Sequence, residues 1–86
     1  MDFEFDPAKS QANKAKHGID FEEAQAIWKD DNRLEVAAPR IDEPRFVMIG
    51  KIGEKHWAAV VTYRFDIVRI ISVRRARDLE IECYEG

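Results

Sequence analysis

The sequence predicts a single α+β domain, an antiparallel sheet of three or four strands with two N-terminal helices and one C-terminal helix. Three observations predict it. The chain has 86 residues, too few for two independent cores. Its first third carries paired helix-start and helix-stop signals, and from Leu34 to Val73 the pattern changes to short apolar runs joined by brief connections. Residues 1–86 are therefore one domain. With 45% apolar and 36% charged residues, the chain belongs with globular proteins and not with disordered ones.

Residues 2–5 alternate as a short strand would. Asp6-Pro7 then starts a helix, Asp as the cap whose carboxylate accepts backbone N–H groups and Pro at the first turn, where its missing N–H is not needed. This helix runs from Pro7 to about Lys16 and stops at His17-Gly18, where glycine takes the left-handed cap conformation and Lys16 and His17 face the negative end of the helix dipole. Asp20 and Glu23 form a capping box for a second helix, whose buried stripe is Phe21, Ala24, Ile27 and Trp28.

After Asp30-Asp-Asn32, strands are expected over Leu34–Ala38, Arg45–Ile52, His56–Arg64 and Ile67–Val73. The connections Gly53-Glu54-Lys55 and Phe65-Asp66 are short enough to force antiparallel neighbours. Ala38–Pro44, bracketed by prolines, reads as a loop. In the last strand, alternation assigns Ile67, Arg69, Ile71 and Val73 to one face and Val68, Ile70, Ser72 and Arg74 to the other. Both faces are largely apolar, which marks an interior strand. Ala76–Tyr84 is a final helix, and the element order favours helices packed on one face of the sheet.

Composition excludes several classes of function. No apolar run approaches a membrane span, and the acidic start Met1-Asp-Phe-Glu-Phe-Asp6 lacks the basic then apolar order of a secretory signal, so the expected location is the cytoplasm. Cys83 is the only cysteine, which rules out an internal disulfide or a thiolate zinc cluster. There is no H-E-x-x-H, no C-x-x-C, no D-x-D calcium loop and no glycine-rich phosphate loop, so neither metal nor nucleotide cofactor is expected.

The net charge of −3 is unevenly spread. Eight acidic residues lie between Asp20 and Glu43 against Lys29, Arg33 and Arg40, while Arg64, Arg69, Arg74, Arg75 and Arg77 face only Asp66 in the later segment. Arginine offers a rigid fork of donors that matches phosphate oxygens and keeps its charge at any working pH. The same arginines could also be a solvated sheet end neutralised by Asp78, Glu80 and Glu82. Lys16-His17 could be mere dipole-compensating charges. Glu80 and Tyr84, four apart on one helix face, could simply bond each other or pack.

Phe3-Glu-Phe-Asp-Pro-Ala-Lys9, Asn13-Lys-Ala-Lys-His-Gly-Ile-Asp-Phe-Glu-Glu-Ala24 and Arg69-Ile-Ile-Ser-Val-Arg-Arg-Ala76, followed by Glu80 and Tyr84, together resemble the BrnT toxin family over nearly the whole chain. Position 5 carries Phe where that family usually has Trp. The resemblance implies a RelE-like fold and the ribonuclease toxin of a type II toxin–antitoxin pair. It further implies metal-independent RNA cleavage that inhibits translation, and neutralisation by a BrnA-like antitoxin with a ribbon-helix-helix domain. Operator DNA would be bound only through the toxin–antitoxin complex.

Cleavage of this kind needs a base for the RNA 2′-hydroxyl, cations for the charge gathering on phosphorus oxygens, and an acid for the leaving 5′ oxygen. The resemblance assigns proton transfer to His17 with Glu80 or Tyr84, and phosphate holding to Lys16, Arg64, Arg74 and Arg75. An antitoxin that covers the arginines is expected to bring acidic or aromatic side chains to them. The competing reading is a binding module that acts with its antitoxin as a transcriptional co-repressor, without turnover.

Overall fold

The computed structural model describes residues 1–38 and 44–86. Its elements, in order, are β1 (Asp2–Glu4), α1 (Pro7–His17), a 3₁₀ helix (Glu23–Lys29), β2 (Leu34–Ala38), β3 (Arg45–Ile52), β4 (Lys55–Arg64), β5 (Ile67–Arg75) and α2 (Asp78–Glu85). The strands form one sheet in the order β1-β5-β4-β3-β2. Among the described residues no helix is long and apolar enough to cross a membrane. The predicted loop over Ala38–Pro44 lies largely outside the described residues, from Pro39 to Glu43.

The expected antiparallel sheet of three or four strands with two N-terminal helices and one C-terminal helix, on a RelE-like plan, is corrected here. The sheet has five strands and is mixed, because β1 joins β5 in parallel through Asp2–Ile67, Phe3–Val68 and Glu4–Arg69. Three residues so far from their partners in sequence give no local signal of pairing. The second N-terminal helix is a 3₁₀ helix. The reciprocal bonds of the predicted capping box form, the Glu23 N–H donating to Asp20 and the Asp20 N–H donating to Glu23, but they close the turn before the helix, whose own N-cap, Glu22, makes no side-chain cap bond. Its end, Asp30, is fixed by accepting from the Lys51 N–H at 2.8 Å. A 3₁₀ helix rises about 2.0 Å per residue against 1.5 Å for an α-helix, so it spans that fixed interval with fewer residues.

The face assignment within β5 is also corrected. Val61 pairs with Ile70 but Val60 pairs with Ser72, so a bulge takes Ile71 out of alternation. Val68, Ile70 and Val73 consequently share the buried face, and Arg74 shares the other face with Ser72 and Arg69. The buried face, completed by Met48, Trp57, Ala59 and Val61, packs on Ile19, Phe21, Ala24 and Ile27. Phe3 and Phe5 close its margin edge-to-face on Trp28 and Phe21, at 5.0 and 5.7 Å between centroids. Helices are not confined to this face, since α2 lies against the opposite one near Ile49.

Gly50 is required where the 3₁₀ helix crosses β3, because a Cβ there would stand 2.8 Å from Ile27 Cγ2. Gly50→Ala is expected to destabilise the fold by about 1–3 kcal/mol, read from the denaturant midpoint. An unchanged midpoint would show that Ile27 can rotate out of the way.

Helix α1 attaches by polar contacts, and only Ser10 and Asn13 of it are buried. Asp6 caps it, accepting from the Ala8 N–H at 2.9 Å, and Gly18 ends it at φ 81. The Ser10 hydroxyl accepts from the Phe21 N–H at 2.9 Å. The Asn13 amide donates to the Ile19 and Val73 carbonyls at 2.8 and 2.9 Å and accepts from the Val73 N–H at 3.2 Å. One side chain thus does for β5, beyond the end of β1, what a neighbouring strand would do.

Candidate active site

The bond between Asn13 and Val73 sets the location of the first two candidate residues. His17 follows Asn13 by one helical turn, about 6 Å along the axis, and Arg74 and Arg75 directly follow Val73. The end of α1 and the end of β5 therefore meet at one corner of the sheet. Lys16 is exposed and His17 half-buried, and neither has a side-chain partner among the described residues.

Arg74 and Arg75 project from opposite faces. Arg75 pairs with Trp57 on the core side, where its guanidinium carbon lies 5.4 Å from the indole centroid and its Nε donates to the His56 carbonyl at 3.3 Å. That stacking holds the fork in place while its two terminal nitrogens remain available to an anion. Arg74 pairs with Ala58 on the other face and makes a two-pronged ion pair with Glu80, at 2.7 and 2.8 Å.

Glu80 also accepts from the Arg77 N–H at 2.8 Å, closing the start of α2. The hydrogen bonds from Arg74 hold its carboxyl below the usual range, against the opposing effect of burial, with the Arg77 N–H adding to the same direction. Glu80 is therefore an ionised acceptor. Tyr84 is its complement: its hydroxyl donates to Asp30 at 2.5 Å, and this bond to a carboxylate, with burial, pushes the phenol up to about 12. A phenol so perturbed stays protonated at neutral pH, with its proton committed to the Asp30 carboxylate.

Arg64 does not join this corner. It lies at the opposite end of β4, six residues beyond the partner of Arg74, about 20 Å away at the rise of a strand. There Arg64 and Arg69 both face Glu4, at 3.9 and 2.7 Å. The structure thus joins Arg74 to Glu80 on one face of the sheet, holds Arg75 on the other face just beyond the Asn13–Val73 anchor that precedes Lys16 and His17, sets Tyr84 further along α2 toward β3, and leaves Arg64 apart.

Sequence reasoning missed the groups that anchor Tyr84. Asp30 accepts from Tyr84, from the Lys51 N–H and from the Asn32 N–H, tying the 3₁₀ helix, β3 and α2 together. His56 bonds Glu85 at 2.7 Å and packs edge-on against the Tyr84 ring, with centroids 5.2 Å apart. The only sequence signal for the latter was a histidine next to a tryptophan opposite the arginine run, which becomes visible once β4 and β5 are in register.

A family model described as the ribonuclease toxin BrnT of type II toxin–antitoxin systems matches residues 5–80. The matched stretch takes in the corner formed by α1 and β5 and ends at Glu80, short of Tyr84. No curated protein matches the chain.

Proposed function

Since the chain belongs to the BrnT family of ribonuclease toxins, we propose that it cleaves RNA without a metal ion and thereby inhibits translation, until a BrnA-like ribbon-helix-helix antitoxin neutralises it. The match over residues 5–80 carries this reading, and the residue types within that stretch suit the chemistry. The RNA 2′-hydroxyl loses its proton to a base and its oxygen bonds to phosphorus. The bond from phosphorus to the 5′ oxygen breaks, and an acid protonates that oxygen, leaving a cyclic 2′,3′-phosphate and a free 5′-hydroxyl.

In this reading Arg75 and Lys16 hold the scissile phosphate, and His17 moves one of the two protons. Glu80, held ionised by Arg74, takes the accepting role, and Tyr84, held protonated against Asp30, the donating role. Arg74 reaches phosphate only when its fork leaves Glu80. Arg64, at the far end of β4, holds RNA backbone away from the reacting bond. Operator DNA is bound only by the complex with the antitoxin.

The purified chain is expected to cleave RNA at an undiminished rate in excess chelator and to yield cyclic phosphate ends. Activity that vanishes with chelator and returns with magnesium would refute the metal-free step. An isolated chain that never cuts RNA, while its antitoxin complex binds operator DNA, would instead establish a co-repressor without turnover.

A further inference from the structure

Leu79 of α2 is 75% exposed and Val36 of β2 is 42% exposed, high values for aliphatic side chains in so small a fold. They are neighbours. With Val47, Ile49, Glu80 and Cys83 they line a groove of about 140 Å³ between α2 and the sheet face opposite the core. Apart from Glu80, whose carboxylate is engaged by Arg74 and the Arg77 N–H, the lining residues are apolar or a thiol. The fold has left an aliphatic slot open on one side, of a size to take one apolar side chain.

Charge decides what fills it. Asp78 and Glu82, four apart on α2 and both exposed, flank Leu79 on the solvent side. No cation of α2 lies in its last turn to balance them. The slot itself offers no donor to a phosphate, and its acidic bank repels one, which argues against RNA. A second copy of this chain would bring the same acidic bank against itself, with like charges facing each other. The complementary occupant is a polypeptide with a protruding aliphatic or aromatic side chain flanked by lysine or arginine.

We propose that this groove is the docking site for the antitoxin, gripping a basic-flanked apolar segment of it beside α2. The proposal rests on the family reading, which supplies an antitoxin as partner, and goes beyond it in naming where and by what chemistry that partner is held. Docking here places the antitoxin directly over the helix that carries Glu80 and Tyr84. It is a contact separate from any acidic side chains the antitoxin aims at the arginines.

Cys83 is exposed, lines the groove and is the only cysteine, so it reports occupancy without any substitution. The full chain is treated with N-ethylmaleimide alone and with the protein encoded by the reading frame adjoining its gene, and alkylation of this chain is followed by mass spectrometry. Complex formation is expected to slow Cys83 labelling by about tenfold or more, and Leu79→Glu to weaken the complex by about thirtyfold, while RNA cleavage by that variant stays at the wild-type rate. A complex that leaves Cys83 as reactive as before, or that tolerates Leu79→Glu, would overturn the proposal. Protection by an RNA oligonucleotide, or by raising the concentration of the chain alone, would overturn it in favour of RNA or a second copy. RNA cleavage by the isolated chain, assayed in parallel, tests the ribonuclease reading independently of where the antitoxin sits.

Discussion

Replacing Arg75 with alanine is expected to slow RNA cleavage by about 30- to 1000-fold, the equivalent of about 2–4 kcal/mol of lost transition-state stabilisation, with little change in thermal unfolding. Arg75 is exposed and its structural contacts are modest: a stacking contact with Trp57, worth about 0.5–1 kcal/mol at such sites, and one long bond to the His56 carbonyl. Arg75→Lys keeps the charge but loses the fork and is expected to fall between the two. Arg74→Ala differs in kind, because it strands the half-buried carboxylate of Glu80 and so lowers stability as well as activity. Single-turnover rates beside melting curves separate these effects. If Arg75→Ala cleaved at the wild-type rate while the folded Arg74→Ala variant did not, the phosphate clamp would belong to the opposite face of the sheet.

Asn13→Ala should lower the stability of the chain by about 3 kcal/mol, since three buried hydrogen bonds are lost and the Val73 N–H and two carbonyls lose a partner. For a domain of this size that corresponds to a fall of about 15 °C in Tm. The effect is large because α1 buries no apolar side chain that could compensate. Asn13→Asp, of the same shape, should fare no better, as it places carboxylate oxygen against the Ile19 and Val73 carbonyls. A fall of less than about 3 °C for Asn13→Ala would show that the helix is held by other means, and would loosen the argument that brings His17 to the end of β5.

What was legible in the sequence was mainly what is local. Asp6-Pro7 and Gly18 define α1 because caps act within one turn, and the strands Leu34–Ala38 and Arg45–Ile52 stand where the change of period placed them. The bulge at Ile71 was not legible, because it arises from how β4 pairs with β5 and leaves no mark in β5 alone. That one extra residue put Val73 in the core and Arg74 on the far face, reversing the assignment that strict alternation gives. The site was partly legible for the same reason. The arginines and the Lys16-His17 pair could be singled out by type, and Glu80 as a carboxylate that neutralises the arginines, but the bond from Tyr84 to Asp30 and that between His56 and Glu85 join residues whose proximity only the completed sheet creates.

The parallel pairing of Asp2–Glu4 with Ile67–Arg69 also has a consequence in time. These segments lie far apart in the sequence, so the first strand emerges from the ribosome before the strand that receives it exists. Contacts of such long range form late and slow the folding of small domains. The sheet therefore closes only once β5 has been made, and until then β1 has no edge to join.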